Sequence, residues 1–231
     1  MTNPCPTLTG MRRSLPLLLA LATALVLALA LAVALGGFSS GGSSSSQGAG
    51  GASSARSASS ASGFDGAALP GNVVAPGFTL TDQRGRAVSL GDYRGQVVVL
   101  TFLYSRCGAT CILIAQQIRG ALEEVDEGHA RPPVVLIVSA DPVVDTRASV
   151  ARFLEEVSLS GRAQYLTGPL SSLHKVWRAY GVTPASSSAA TFDRFASILL
   201  LDARGRERVL FQSEVLTPEA LSHDIAKLQG G

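Results

Sequence analysis

Cys107 and Cys111 stand four residues apart in Cys107-Gly108-Ala109-Thr110-Cys111, directly after the apolar run Val97 to Tyr104 and at the head of a helical pattern. Residues i and i+4 share a helix face with Cβ atoms about 5–6 Å apart, close enough for two sulfurs to share a metal or, with local adjustment, to form a disulfide. A helix N-terminus also favours the thiolate, the form that attacks disulfides and binds metals. Thiol redox or soft-metal chemistry is the leading expectation for this pair, and a structural or inert pair is the competing one.

The elements that must position the pair can be read from periodicity. Val97 to Tyr104 is a continuous apolar strand of the kind buried on both faces, and Val134 to Ser139 is a second. Between them, helical spacing runs from Ala109 to about Val125, with Ile112, Ala115, Ile118 and Leu122 along one side. Strand, helix, strand in this order predicts a right-handed parallel βαβ unit. Phe78 to Thr81 and Ala87 to Leu90 flank Asp82-Gln83-Arg84-Gly85-Arg86 as a hairpin, and Ser197 to Asp202 and Glu207 to Gln212 flank Ala203-Arg204-Gly205-Arg206 as another. Thr146 is placed to cap a helix ending near Val157, Gln164 to Leu166 is a short strand, and Leu170 to Tyr180 is a helix closed by Gly181. Thr217-Pro218-Glu219 opens the last helix with a cap and a proline at its first position. Together these predict an α/β fold, thioredoxin-like with an added N-terminal β-hairpin. The cysteines then fall at the carboxyl end of the first central strand, where open α/β sheets place their sites.

The chain of 231 residues divides unevenly. Residues 1–14 precede a 21-residue apolar run, Leu15 to Leu35, that would be about 32 Å long as a helix and so match a bilayer core. Arg12 and Arg13 before the run place the N-terminus in the cytoplasm and the rest outside, in a bacterial cell the periplasmic side of a single-pass membrane protein. A cleaved signal peptide, with Ala32-Val33-Ala34 at its end, is the alternative. Residues 36–68 read as a flexible linker, since Gly, Ser and Ala cannot bury enough apolar surface to offset the entropy of ordering. Residues 69–231 are the size of one domain. A net charge of +2, without a basic block, argues against nucleic acid as a partner. Of three cysteines, Cys5 precedes the apolar run, leaving Cys107 and Cys111 as the exported pair.

Several segments together resemble the Sco family (Sco/SenC), membrane-anchored copper and thiol proteins of cytochrome c oxidase assembly. They are Ala75-Pro76-Gly77-Phe78-Thr79-Leu80-Thr81-Asp82, Tyr93-Arg94-Gly95-Gln96-Val97-Val98-Val99, the CxxxC at Cys107 and Cys111, Val138-Ser139-Ala140-Asp141-Pro142, Asp145-Thr146, and Ala179-Tyr180-Gly181-Val182. The resemblance implies copper binding by Cys107 and Cys111, a redox-active disulfide between them, and metallochaperone work. The implied partner is the cytochrome c oxidase subunit that carries the dinuclear copper centre. Asp141 and Asp145 match family positions and are candidate modulators, with loop shaping and helix capping as the simpler role.

One position departs from the pattern. The family has a third copper ligand, a histidine after an aspartate, where this chain has Asp193-Arg194-Phe195. A guanidinium has no lone pair to offer and stays protonated, so Arg194 cannot ligate. Cu(I) is satisfied by thiolates alone, whereas Cu(II) prefers N and O ligands, so the expectation is Cu(I) binding with Cu(II) poorly served. Near the sulfurs, the Arg194 charge would favour thiolates by about 3 kcal/mol at 5 Å and an effective dielectric near 20. That supports an alternative function, a general thiol-disulfide oxidoreductase or a thiol peroxidase. The histidines are weaker candidates: His174 on a helix, His129 in a loop, and His223 in the last helix with no partner at ligand spacing.

Overall fold

The computed structural model describes residues 62–128, 131–186 and 188–230, the side chains of residues 189, 194 and 195 excepted. The expected N-terminus, the apolar run, most of the linker, and His129 lie outside the described residues. Among the described residues no helix is long and apolar enough to cross a membrane.

In chain order the strands are β1 (Ala67–Ala68), β2 (Thr79–Asp82), β3 (Ala87–Ser89), β4 (Val98–Leu103), β5 (Val134–Ser139), β6 (Ala163–Thr167), β7 (Ser197–Leu201) and β8 (Glu207–Gln212). The α-helices are α1 (Ala109–Glu127), α2 (Arg147–Glu156), α3 (Leu170–Ala179), α4 (Ala189–Phe195) and α5 (Pro218–Gln229). The strands form one sheet in the order β1-β8-β7-β4-β5-β6-β2-β3. β4, β5 and β6 are parallel, joined by the crossovers α1 and α2, and the flanking pairs are antiparallel. This is the thioredoxin-like architecture expected from the sequence, with the β2–β3 hairpin added at one edge.

Every residue of β4 is buried, which is why it reads as an unbroken apolar run rather than an alternating one. α1 turns Ile114, Ala115, Ile118, Ala121 and Leu122 inward and packs against α5. At that crossing a Cβ on Gly120 would sit 2.9 Å from the Pro218 ring, so only glycine lets the two helices approach. The expected caps form: the Thr146 and Thr217 hydroxyls accept from the Ser149 and Ala220 amides, each at 3.2 Å.

Both hairpins turn on the same five-residue device. In Asp82-Gln83-Arg84-Gly85-Arg86 the aspartate Oδ1 accepts from the amides of Arg84 and Arg86, while Oδ2 takes the Arg86 guanidinium at 2.8 Å. Asp202-Ala203-Arg204-Gly205-Arg206 repeats each contact, with Arg208 added on Oδ2. The glycines take φ of +86° and +68°, the left-handed region this turn requires. Burial works against the charge on each aspartate, yet the hydrogen bonds and the arginines prevail and hold both carboxyls below the usual range.

A pH dependence follows. A carboxyl depressed in the folded state adds stability that is full above its unfolded value of about 3.9 and is lost as pH falls through the folded value. The double variant Asp82→Asn/Asp202→Asn should lose about 2–4 kcal/mol at neutral pH and show a shallower decline below about pH 4 than the parent. Urea unfolding at several pH values measures both.

The structure departs from the sequence reading at two places that bear on the site. The domain begins before residue 69: Phe64 is buried, and Ala67–Ala68 pair with Val209 and Leu210 of β8. A short helix, α4, was not expected. Ser188 caps it, its hydroxyl accepting from the Thr191 amide at 3.2 Å.

Candidate dithiol site

β4 delivers the chain to Tyr104, and the Cys107 amide donates to the Tyr104 carbonyl at 3.1 Å, turning the first cysteine toward the head of α1. Gly108 is the N-cap of α1 and contributes no side-chain cap, so no side chain competes for the amides of the first turn. Cys107 and Cys111 are joined by a disulfide, with Cα atoms 5.6 Å apart. Cys111 is fully buried against the core, while Cys107 is 8% exposed and flanked by exposed Arg106, Gly108 and Ala109. The bond is thus buried, with exposed chain beside it only on the Cys107 side.

The loop is held from below by Asp145, which is 6% exposed. Its Oδ1 accepts from the Ser105 amide at 2.6 Å, two residues before Cys107. Its Oδ2 accepts from the Ser139 hydroxyl at 2.5 Å and the Tyr165 hydroxyl at 2.8 Å. Burial first, and then the Asp145 carboxylate, push the Tyr165 phenol well above its usual range, which keeps it a donor. Ser105 adds a bond from its hydroxyl to the Val144 carbonyl at 3.2 Å. The loop-shaping role considered for Asp145 is what its contacts describe, acting on the cysteine loop, while the helix that follows is capped by Thr146. Asp145→Ala should leave the Ser105 amide and the buried Ser139 hydroxyl without this acceptor, while the Tyr165 hydroxyl keeps the Leu103 carbonyl at 3.0 Å, and should cost about 2–3 kcal/mol, lowering Tm by roughly 8 °C. Asp145→Asn, which keeps the volume and one acceptor, should cost less in the same thermal melt.

Tyr104 follows β4 and its carbonyl accepts from the Cys107 amide. Its ring stacks edge-on against Phe192 of α4 at 5.2 Å. Burial, then the Asp193 and Asp141 carboxylates, raise its phenol pKa. Asp141 itself accepts from the Val143 amide at 3.1 Å, the loop-shaping role considered for it. Asp193 Oδ1 is buried with no hydrogen-bond partner among the described residues. Arg194 belongs to the same helix, and its side chain lies outside the described atoms.

Of the three histidines, His174 and His223 are among the described residues. His174 is exposed and stacks on Trp177 at 5.2 Å, as a surface residue over a core tryptophan does. His223, for which the sequence suggests no partner, has two: its Nδ1 is 3.2 Å from Asp65 and 3.0 Å from Asp224. Asp65 is 158 positions away in the chain, beyond the reach of any local spacing rule. Asp224 is already committed, since its oxygens accept from the amides of Asp65 and Gly66 at 2.9 and 3.0 Å.

A thioredoxin-like sheet with a close cysteine pair at the end of its central strand defines a dithiol protein. The SCO1/SenC family model matches residues 67–230, and the chain belongs to that family. It is 32% identical over 106 residues to the mitochondrial protein SCO2 homolog of Bos taurus, a match covering 46% of this chain and 39% of the relative. The chain therefore spans about two fifths of that relative's length. Yeast Sco1 with copper bound superposes with a TM-score of 0.57 at 16% identity, over 69% of this chain and 92% of that one. BsSco, described as a member of the Sco family of cytochrome c oxidase assembly proteins and as having a disulfide switch, superposes with a TM-score of 0.58 at 19% identity, over 70% and 96%.

Proposed function

We propose that this chain is a membrane-tethered, extracytoplasmic Sco protein whose Cys107 and Cys111 serve the assembly of the dinuclear copper centre of cytochrome c oxidase. The observation that carries the reading is the cysteine pair itself, joined at the head of α1 with exposed residues beside Cys107, on a fold whose relatives include copper-bound proteins. The membrane location rests on the apolar run Leu15 to Leu35 and the arginines before it.

Copper is cargo here. Two thiolates, one just before the N-cap of α1 and one in its first turn, suit Cu(I), and once the disulfide is reduced both sulfurs are free to hold it. With Arg194 at the position of the family histidine, the site lacks the nitrogen that would complete a Cu(II) set. The same pair can reduce a recipient. Cys107 as thiolate attacks the recipient's disulfide, forming a mixed disulfide and releasing one recipient thiol. Cys111 then attacks the Cys107 sulfur, releasing the second. Two electrons and two protons pass to the recipient, and the product on this side is the bond between Cys107 and Cys111. A chain used only for that exchange would be a thiol-disulfide oxidoreductase, which Arg194 favours.

In cells whose oxidase carries the dinuclear copper centre, removal of this chain should lower the copper content and absorption of that centre. Wild type should restore them, and Cys107→Ser should not. Restoration by Cys107→Ser would show that the thiols are not the working groups.

A further inference from the structure

At the opposite end of the domain from the cysteines, the second hairpin turn and the start of the described chain enclose a cavity of about 340 Å³. Arg204, Arg206, Arg208 and Lys227 line it against a single carboxylate, Asp202. Asp202 ion-pairs with Arg206 and Arg208, leaving Arg204 and Lys227 as the exposed cations of the rim. Arg94 adds a fifth positive charge beside the turn, its guanidinium lying where a Cβ on Gly205 would be. Asp65 pairs with His223, Asp224 is buried on the amides of Asp65 and Gly66, and Glu207, between Arg206 and Arg208 in sequence, is not part of the lining.

The chain enters the domain through this cavity. Ser62 and Phe64 form part of its wall, and Phe64 lies between the Arg208 guanidinium at 5.7 Å and the Lys227 ammonium at 5.1 Å from its ring centre. Lys227 also donates to the Gly63 carbonyl at 2.8 Å. In sequence, the residues leading up to this point are the Gly/Ser-rich linker and, before it, the apolar run Leu15 to Leu35.

The sheet register sets the direction. Leu201, just before the basic turn, pairs with Val98 at the start of β4, and the Gly95 amide donates to the Ala203 carbonyl at 2.7 Å. Cys107 follows the other end of β4, so the six residues of that strand separate turn and thiols by about 20 Å.

From this placement, and resting on the anchor reading of Leu15 to Leu35, we infer that the basic cavity at the chain's point of entry docks anionic phospholipid headgroups, turning the Cys107–Cys111 pole away from the bilayer. Several cations close to an anionic surface hold the domain there without the tether, and the tether's effective concentration strengthens the same orientation. The charge complementarity is to phosphate, the group that a bilayer presents at the surface where the tether begins. An acidic polypeptide would satisfy the same cations, and the test separates the two.

The full-length protein is reconstituted into vesicles of phosphatidylcholine alone or mixed with phosphatidylglycerol, and a protease site placed in the Gly/Ser linker is then cut. The released domain should stay with the phosphatidylglycerol vesicles, leave the phosphatidylcholine ones, and be washed off by high salt. Arg204→Gln/Lys227→Gln should lower its partition to the anionic vesicles about thirtyfold, and Arg204→Lys/Lys227→Arg should not. An unchanged urea unfolding midpoint confirms that each variant is folded. Release from both vesicle types, equal retention on both, indifference to the glutamine pair, or binding to poly-glutamate without binding to phosphatidylglycerol would each overturn the headgroup assignment. Extraction of the uncut chain from phosphatidylcholine by carbonate would overturn the anchor reading alone, since the partition of the released domain does not depend on it.

Discussion

Cys111→Ser should reduce the Cu(I) affinity of the reduced protein by at least about a hundredfold. Loss of a group that merely supports a metal ligand costs about 10–100-fold, and here a ligand itself is lost. Cys107→Ser should have the same effect, because neither serine hydroxyl supplies a soft thiolate. The two variants should differ in stability. Cys111 is fully buried, so a hydroxyl there must find a partner or cost about 1–3 kcal/mol, whereas at Cys107, 8% exposed and beside exposed residues, the cost should be smaller. Competition for Cu(I) against a chromophoric chelator and urea unfolding together read both effects. Equal Cu(I) affinity in wild type and either variant would remove the pair from the metal site.

Arg194→His should create a Cu(II) site that the wild type lacks. The substitution supplies an imidazole at the position of the family's third ligand, in the helix that packs Phe192 against Tyr104 beside the cysteine loop. A borderline nitrogen joining two thiolates suits Cu(II) better than sulfur alone, and the expected gain is about tenfold or more in affinity, with a thiolate-to-Cu(II) absorption band as its signature. The change also removes a positive charge. A charge that acts on the cysteines lowers their pKa, so its loss should raise them and slow alkylation at neutral pH. Wild-type protein that binds Cu(II) as tightly as the variant would mean that another group serves as third ligand. An unchanged alkylation rate would place Arg194 among ordinary surface charges and remove the support it lends to a purely redox role.

Much of this fold was legible because its signals are local. β4 and β5 are buried on both faces and show it as runs of Val, Leu and Ile, and the periodic helix between them fixes their parallel pairing. The hairpins were visible through Gly85 and Gly205, although the shared aspartate–arginine clasp emerged only when the two turns could be superposed contact by contact. α4 escaped because seven residues are too few to show a period, and because Ser186 to Ser188 reads as low complexity; the one usable signal was Ser188 as a cap. The first residues of the domain escaped for a different reason. Asp65 and Gly66 are fixed by Asp224, and Ala67–Ala68 by β8, partners more than 140 positions away, while the local Gly/Ala composition argues for a linker. The cysteine site shows the same division. The pair and its place on the strand were readable, but the support of Ser105 by Asp145, Ser139 and Tyr165 joins three separate segments that only the folded sheet brings together.

The central claim is that Cys107 and Cys111 form one unit that holds Cu(I) when reduced and releases that capacity when oxidised. The most direct measurement is the Cu(I) stoichiometry of the full-length chain in detergent, paired with a thiol count, before and after treatment with diamide. The account predicts three thiols and one tightly held Cu(I) per reduced chain. After oxidation it predicts a single thiol, Cys5, and no tightly held Cu(I). Three thiols surviving diamide, or Cu(I) held as tightly by the oxidised chain as by the reduced one, would contradict it.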